Sequence, residues 1–243
     1  MSKHKERQFQ IEIVQHLTAN NWVEGDASGY YKALALYPDD LISYIKSTQP
    51  LAYEKMRKRE GVKTDEVLCN HVAKELDKHG SLHCLRSEVK YIGSKFKLCQ
   101  FKPELHNPDT QAKYDANILR VVQEVTTKSG KERIDLVLFL NGVPIATLEL
   151  KTDFTQNVQD AVNQYKYDRP AKGEPLLEFK RRALVHFAVS TDEVYMTTKL
   201  AGKNTFFLPF NKGREDGSAG NPQNPNGYAT AYLWEEVLQR DSI

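Results

Sequence analysis

The sequence predicts an α/β protein of the α+β kind, in which a helical N-terminal part precedes a sheet-rich part. Three observations support this. Up to residue 79 apolar residues recur mainly at helical spacing, later residues form short β-rich runs, and Asn141-Gly142 joins two of these runs. With 40% hydrophobic and 27% charged residues among 243, the composition is that of a soluble globular protein. The chain is long enough to bury a substantial core.

The N-terminal 60 residues are predicted to be mostly helical. Apolar residues at positions 9–17 have helical spacing, and Asn20-Asn21 ends that helix. Pro38 begins a second helix, because proline suits the first helical position. Thr64 begins a further helix, which stops at Gly80, where glycine is favoured as a cap.

Strands are predicted to dominate after Gly80. Residues 134–140 and 145–150 are β-rich, and Asn-Gly between such runs is the strongest short hairpin signal. Residues 114–125 are divided between a helix and a strand, and residues 158–167 are predicted to be a helix. The remaining predicted strands are 82–89, 96–101, 183–190, 194–198 and 205–210.

Charge, apolar runs and cysteines narrow the class of protein. The 34 basic and 32 acidic residues leave a formal charge of +2, which gives no global electrostatic signature. No apolar run approaches the roughly 20 residues of a membrane span, and residues 1–7 lack a signal-peptide core, so we expect a cytoplasmic location. Cys69, Cys84 and Cys99 fit neither a disulfide framework nor a zinc motif and are expected to be buried free thiols.

Three charged residues interrupt the apolar strands of the predicted hairpin: Asp135, Glu149 and Lys151. Unpaired charges are costly on a buried sheet face, so these residues are expected to be paired, metal-bound or at an edge. Glu149 and Lys151 are two residues apart and therefore share one face of a strand.

The hairpin register decides whether Asp135 joins them. A two-residue turn at Asn141-Gly142 pairs residues whose numbers sum to 283 and places Asp135 on the opposite face. One additional residue, in a three-residue loop or a bulge, changes the sum to 284 and sets Asp135 opposite Glu149. We predict the second register, because two carboxylates roughly 5 Å apart at Cβ form a good site for a divalent cation.

This arrangement suits phosphodiester chemistry. Hard carboxylate oxygens favour Mg²⁺, which polarises a phosphate and activates water, and a lysine stabilises the developing negative charge. Asp135, followed by Glu149-x-Lys151, is the pattern of the PD-(D/E)xK nucleases. An ion pair at the end of a strand is the alternative explanation of the same three residues.

Four longer stretches add to this pattern: IDLVLFLNGVPIATLELKT (134–152), AVNQYKYDRP (161–170), VHFAVSTDEVYMTTKLAGKNTFFLPFNKG (185–213) and NPNGYATAYLWEEVLQRDS (224–242). Through them the chain resembles, over nearly its whole length, the N-terminal region of the R (restriction and motor) subunit of type I restriction-modification enzymes. The resemblance implies a restriction-endonuclease-like core with a central mixed sheet flanked by helices. It also implies that Asp135, Glu149 and Lys151 are the nuclease triad, that Asp135, Glu149 and the Leu150 carbonyl bind Mg²⁺, and that the substrate is duplex DNA.

The resemblance also suggests a domain organisation. Residues 1–60 are expected to be a helical extension packed on the core, residues 61–212 the nuclease core, and residues 213–243 a connection towards motor domains. The sequence has no Walker A motif, because Lys131 and Lys203 are not followed by Ser or Thr. We therefore interpret the chain as a nuclease fragment. Its expected partners are DNA, the modification and specificity subunits, and the ATP-dependent motor domains of the full-length subunit.

The family carries a QxxxY motif on the helix after the lysine strand. Gln164 matches the glutamine, but Asp168 stands at the tyrosine position, and Tyr165 and Tyr167 are the nearest aromatics. We expect Tyr167 to lie near Gln164 and to assist catalysis. The predicted DNA contacts are Gln164, Tyr165, Lys166, Arg169, Lys180, Arg181 and Arg182. Charge runs are more often solvated surfaces, and the alternative for the motif is that Gln164 is a solvated helix residue and the tyrosines belong to the core.

The leading hypothesis is thus a Mg²⁺-dependent endonuclease domain that works within a multisubunit complex. The alternative is a catalytically silent DNA-binding or assembly module with a nuclease-like fold. An upstream acidic residue often supplements such a triad, and Glu66, Glu75 and Glu88 are equivalent candidates from sequence.

Overall fold

The structure, a computed structural model, describes residues 2–105, 107–152 and 157–243. Its helices are α1 (Ser2–Ala19), α2 (Pro38–Thr48), α3 (Pro50–Glu60), α4 (Thr64–His79), α5 (Ser81–Arg86), α6 (Pro108–Asp115) and α7 (Val158–Asn163). Its strands are β1 (Trp22–Gly25), β2 (Glu88–Tyr91), β3 (Ser94–Lys97), β4 (Leu119–Thr126), β5 (Arg133–Leu140), β6 (Val143–Leu150), β7 (Val185–Val189), β8 (Val194–Thr197) and β9 (Leu208–Pro209). None of the helices described here is both long and apolar enough to cross a membrane.

A mixed sheet forms the centre of the molecule. Its strands follow the order β1-β4-β5-β6-β7-β8-β9, and β2 pairs with β3 in a separate hairpin. The β1–β4 and β6–β7 pairs are parallel, whereas the other neighbours are antiparallel. The predicted α+β architecture with a central mixed sheet and flanking helices is therefore confirmed.

The sheet separates two apolar layers. On β5, Leu136 and Leu138 belong to the larger layer, which also contains residues of α1, α2 and α4. Val137 and Phe139 point to the opposite face, where they pack with residues of α7. This alternation is the period-two pattern of a strand that is covered on both sides.

The β5–β6 hairpin turns at Asn141-Gly142, the position that the sequence indicated, through a two-residue turn. Asn141 and Gly142 have φ angles of 48° and 79°, as a type I′ turn requires. The Asn141 side chain is buried and donates to the Leu98 carbonyl at 2.9 Å, while its Oδ1 accepts from the Ile118 N–H at 2.7 Å. The turn is thus fixed by the core around it as well as by its own sequence.

A bulge changes the hairpin register, as predicted. The residue numbers of the pair Phe139 and Pro144 sum to 283, whereas those of the pair Leu138 and Ala146 sum to 284. Ile145 is the additional residue between these two pairs, so the 284 register holds from Leu138 towards the far end of the hairpin. The predicted register is confirmed.

Several predicted elements need correction. Residues 82–89 are not one strand, because α5 begins after Gly80 and β2 starts only at Glu88. Gly80 has a φ of 86°, which lets the chain turn sharply and begin a new helix. β1 was not predicted at all, and it pairs in parallel with β4. The division of residues 114–125 into a helix and a strand is confirmed by α6 and β4.

The cysteines are confirmed as buried free thiols. Burial raises the pKa of Cys69 to about 12, of Cys84 to about 11 and of Cys99 to about 12. Thiols with such pKa values are scarcely ionised at neutral pH and are not reactive nucleophiles.

The C-terminal segment packs against α1. The Phe9 ring meets the rings of Tyr228 and Trp234 edge-on, at centroid distances of 4.7 and 5.8 Å. The indole N–H of Trp22 donates to the Leu238 carbonyl at 2.9 Å. Residues near both ends of the chain therefore share the larger apolar layer.

Candidate active site at the end of the central hairpin

The three predicted triad residues lie at one end of the β5–β6 hairpin. The 284 register sets Asp135, near the start of β5, across from Glu149, near the end of β6. Lys151 directly follows β6, and its main-chain N–H donates to the Val189 carbonyl of β7 at 2.9 Å. The sheet thus brings two carboxylates and one ammonium group to the same end of two neighbouring strands.

Asp135 replaces a main-chain hydrogen-bond acceptor. Its Oδ2 accepts from the Leu150 N–H at 2.7 Å. The N–H and C=O of a strand residue point to the same side of the strand. The Leu150 carbonyl is therefore also directed towards β5, on the side where Asp135 lies. Burial raises the pKa of Asp135 to about 6, opposed by the Leu150 hydrogen bond and the charge of Lys151.

Glu149 is fully buried and is paired with Arg169. The Arg169 Nε donates to Oε1 at 2.7 Å, whereas Nη2 approaches Oε2 only to 3.4 Å and donates to the Arg133 carbonyl at 2.7 Å. Burial and the negative charge of Asp135 raise the pKa of Glu149 well above its usual value, and Arg169 opposes this increase. Arg169 is therefore the internal counter-charge of the site.

Lys151 is paired with a residue that sequence reasoning did not identify. Its Nζ lies 3.2 Å from Oε1 of Glu6 on α1. One turn later, Gln10 donates to the main-chain carbonyl of Asp135 at 3.1 Å. Glu6 and Gln10 are four residues apart and therefore lie on the same face of the helix. This polar pair at helical spacing is the sequence feature that could have indicated their place at the site.

The three acidic candidates from sequence lie elsewhere. Glu66 and Glu75 are on α4, and Glu88 begins β2. Glu75 and Glu88 face His79 and Lys95 at 3.7 and 3.2 Å, outside the triad. Glu6 is the acidic residue that the fold brings to Lys151.

The segment of the predicted QxxxY motif is a π-helical turn, Gln164–Asp168. Tyr165 is fully buried, and its hydroxyl lies 2.7 Å from Oγ1 of Thr147, two residues before Glu149 on β6. Burial and then the charge of Glu149 raise the pKa of Tyr165 well above its usual value. Tyr167 is 67% exposed. The tyrosine buried next to Thr147 on β6 is therefore Tyr165, whereas the catalytic role expected of Tyr167 stays a prediction.

The buried layer under Glu149 has two side-chain atoms without hydrogen-bond partners among the described residues. Thr147 Oγ1 also lies 2.7 Å from Nδ1 of His186, whose Nε2 has no partner. Burial lowers the pKa of His186 to about 3, so its ring is neutral. The second atom is Oε1 of Gln164. Such orphaned atoms are common at functional sites.

The predicted DNA-contact residues divide into buried and exposed groups. Arg169 and Arg182 are only 8% and 1% exposed. Arg182 donates to Asp77 at 2.7 Å and to the Leu34 carbonyl at 2.6 Å. Both arginines are held by contacts within the protein, and their contact with DNA stays a prediction. Lys166 is half-buried, Arg181 is paired with Glu178 at 2.8 Å, and Lys180 is exposed.

Two carboxylates, rather than a larger acidic cluster, make up the site. Within residues 2–105, 107–152 and 157–243, no group of three or more His, Cys, Asp or Glu side chains is placed to bind a metal. Magnesium in proteins often uses one or two carboxylates and completes its shell with water and phosphate. Oε2 of Glu149, at 3.4 Å from Arg169, is the less engaged carboxylate oxygen of that residue. The donors present at Asp135, Glu149 and the Leu150 carbonyl therefore fit such an ion.

The family model for the N terminus of the type I restriction enzyme R protein matches residues 45–205, which is more than half of the chain. No curated protein matches the sequence. The matched region contains Asp135, Glu149, Lys151 and Arg169 but begins after α1, so Glu6 lies outside it.

Proposed function

This chain belongs to the family of type I restriction enzyme R protein N-terminal regions, and we propose that it is a Mg²⁺-dependent endonuclease domain that hydrolyses phosphodiester bonds of duplex DNA. The observation that carries this proposal is the pairing register that sets Asp135 across from Glu149, beside Lys151. Two buried carboxylates with raised pKa values repel each other, and a cation bound between them would reduce this repulsion beyond what Arg169 and Lys151 already do.

Each residue of the site has a role in this proposal. Asp135, Glu149 and the Leu150 carbonyl would hold the ion, which when bound supplies polarisation of the scissile phosphate and activation of water. Lys151 orients the attacking water and stabilises negative charge on the phosphate oxygens. Because its ammonium group is paired with Glu6 at 3.2 Å, Lys151 is held at the hairpin end rather than free to rotate.

Arg169 makes the site stable before an ion binds. Its guanidinium group neutralises Glu149 through one short contact of 2.7 Å and leaves the second oxygen only loosely engaged. An ion can therefore approach Oε2 without complete separation of the pair. Arg169 then continues to stabilise Oε1.

The complex around this domain is also part of the proposal. Membership of the R protein family supports DNA and the modification and specificity subunits as partners. We further propose motor domains that use ATP in the full-length subunit, and a cytoplasmic location. DNA sequence specificity would then lie in another subunit.

A catalytically silent DNA-binding or assembly module is the second candidate. The observation in its favour is that Glu149 and Lys151 are each paired within the protein, with Arg169 and Glu6. A site with satisfied charges has no need of an ion for stability. The two candidates differ in metal binding and in cleavage.

Metal binding is the first test. Calorimetry with Mn²⁺ and a short duplex should show binding to the wild-type chain and none to Glu149→Ala. Glu66→Ala, on an exposed position of α4, is the matched control and should bind like wild type. Binding that survives Glu149→Ala would contradict the metal site.

Cleavage by the assembled enzyme is the second test. Lys151→Ala should abolish cleavage while DNA binding and ATP hydrolysis are retained. Cleavage at the wild-type rate by Lys151→Ala would exclude the catalytic role and favour the silent module.

A further inference from the structure

A second cleft lies at the opposite end of the sheet from the triad. It has a volume of about 640 Å³ and lies between the α4–α5 corner, residues 179–184 and Thr198. The Leu184 N–H donates to the Ile145 carbonyl at 2.9 Å, and Ile145 precedes Glu149 by four residues on β6. At about 3.3 Å per strand residue, the cleft begins about 13 Å from Glu149. It is therefore separate from the candidate active site.

The cleft is lined by both apolar and basic residues. Ala183 and Leu184 form apolar lining, and Arg86 and Lys180 contribute the formal positive charges. Among the described residues that line it there is no Asp or Glu. Arg86 and Lys180 also make no ion pair with any carboxylate in the described part of the chain. The cleft therefore has positive charge that the protein does not neutralise.

An exposed aromatic ring forms one wall. Phe179 is 42% exposed, and the ammonium groups of Lys180 and Lys199 lie 5.3 and 5.6 Å from its ring centroid. The rings of His79 and His83, which also line the cleft, are 5.3 Å apart and carry hydrogen-bonding nitrogens. An aromatic surface next to unneutralised cations suits a ligand with a planar ring and an anionic group.

The backbone of Lys180 is held in an unusual conformation. Its φ is 70°, in the left-handed region that non-glycine residues rarely adopt. The Lys180 carbonyl accepts from the Ser81 N–H at 2.9 Å, and the Ser81 hydroxyl donates to the Arg181 carbonyl at 3.0 Å. A Cβ atom at Gly80 would lie 3.1 Å from the Lys180 carbonyl, so glycine permits this close contact. The α4–α5 corner therefore fixes Lys180 at the cleft.

The three basic residues 180–182 thus have different roles. Arg182 is buried against Asp77 and the Leu34 carbonyl, and Arg181 is paired with Glu178. These contacts secure the loop, whereas the Lys180 ammonium group lies over the Phe179 ring and makes no ion pair among the described residues.

We propose that this cleft binds a nucleotide, with its base stacked on Phe179 and its phosphate held by Arg86 and Lys180. The volume is within the range of about 300–1,000 Å³ that is typical of small-molecule sites. A free nucleotide and one nucleotide unit of single-stranded DNA share this chemistry. The inference goes beyond the endonuclease proposal, because the site needs neither the triad nor a metal ion.

Binding to the whole chain, measured in EDTA, tests the proposal. Adenosine 5′-monophosphate is titrated by calorimetry, fluorescein-labelled hexathymidylate by anisotropy, and inorganic phosphate serves as the anion control. Phe179→Leu removes the ring, Arg86→Gln removes a charge, and Lys180→Asn removes a charge with a residue that tolerates positive φ. Each variant should weaken nucleotide binding about tenfold. Lys172→Gln, an exposed lysine outside the cleft, is the matched control and should change nothing.

The two ligands distinguish the two sources. Binding of the monophosphate supports a free nucleotide, and binding of hexathymidylate alone supports single-stranded DNA. The proposal is overturned if neither ligand binds at millimolar concentration or if the three variants bind like wild type. It is also overturned if Glu149→Gln, rather than the cleft variants, removes binding. Because no metal or cleavage is involved, failure of the endonuclease proposal leaves this test unaffected.

Discussion

The Glu149 carboxylate shows how a buried charge is tolerated at the residue scale. It is fully buried across from Asp135, and Arg169 provides its neutralising contact at 2.7 Å. Removing one partner of a buried ion pair is more damaging than replacing both, because it leaves an uncompensated charge in a low-dielectric environment. The stability of the site should therefore depend on the pair rather than on either residue alone.

Arg169→Met should lower the free energy of unfolding by about 3–5 kcal/mol, since it leaves Glu149 without its counter-charge. The double variant Arg169→Met/Glu149→Gln should recover part of this loss. Urea denaturation measures both effects. In the matched control, Arg181→Met, the lost pair with Glu178 is partly exposed, so the change should stay below about 1 kcal/mol. Additive losses in the double variant would contradict the coupling of Arg169 and Glu149.

Glu6→Gln tests whether Glu6 acts by positioning Lys151 for cleavage rather than by stabilising the fold. Glu6 is 24% exposed and Lys151 only 9%, but glutamine keeps an oxygen that can accept from the Lys151 ammonium group, so the free energy of unfolding should change by only about 1 kcal/mol. Cleavage by the assembled enzyme should fall about 10- to 100-fold, because a residue that orients a catalytic group acts through that group. Glu66→Gln is the control in the same cleavage assay. Equal rates for Glu6→Gln and wild type would remove Glu6 from the site.

Sequence reasoning predicted that Asp135, Glu149 and Lys151 lie together, but it did not predict the partners of their charges. Asp135, Glu149 and Lys151 interrupt apolar strands, and this contrast is visible in the sequence. Arg169 was assigned to DNA because a basic residue near a family motif has no visible sign of burial. Its contact with Glu149 depends on the π-helical turn Gln164–Asp168, which the sequence did not predict.

At the scale of elements, the hairpin was predictable because its turn and strands each have a strong local signal. Whether a bulge or a longer loop creates the 284 register was not predictable, because both give the same pairing. The strand predicted at 82–89 failed because Leu82, exposed on α5, continued an apparent β pattern. Local patterns do not reveal which apolar residues the fold leaves exposed.

Gly142→Ala tests how the turn fits against the rest of the fold. Gly142 has a φ of 79°, and a Cβ there would lie 2.3 Å from the Tyr37 carbonyl. Gly173 has the same φ of 79°, but a Cβ there would meet nothing within 4 Å. Gly173→Ala should therefore lose only the conformational cost of about 1–2 kcal/mol, whereas Gly142→Ala should lose about 3 kcal/mol or more.

Thermal and urea unfolding of the two glycine variants provide the comparison. A similar loss for both would mean that the contact between Gly142 and residue 37 does not constrain the hairpin. A larger loss for Gly142→Ala would link the β5–β6 register, and with it the placement of Asp135, to the segment before α2.

At the scale of the whole molecule, the two ends of the chain complete the structure around the site. The matched family region covers residues 45–205 and includes neither α1 nor the C-terminal segment. The resemblance led us to expect residues 213–243 to be a connection, yet Leu233 and Trp234 are buried in the larger apolar layer. Through Phe9, this segment contacts α1, which carries Glu6 to Lys151.

Trp234→Ala should therefore lower the free energy of unfolding by about 3–5 kcal/mol, the usual effect of removing a buried aromatic side chain. Phe206→Ala is the control: its side chain is 75% exposed, so the change should be within about 0.5 kcal/mol. Hydrogen exchange under native conditions should also show faster exchange of α1 amides in Trp234→Ala than in Phe206→Ala. If α1 exchanged equally in both variants, the C-terminal segment would not hold the helix that carries Glu6.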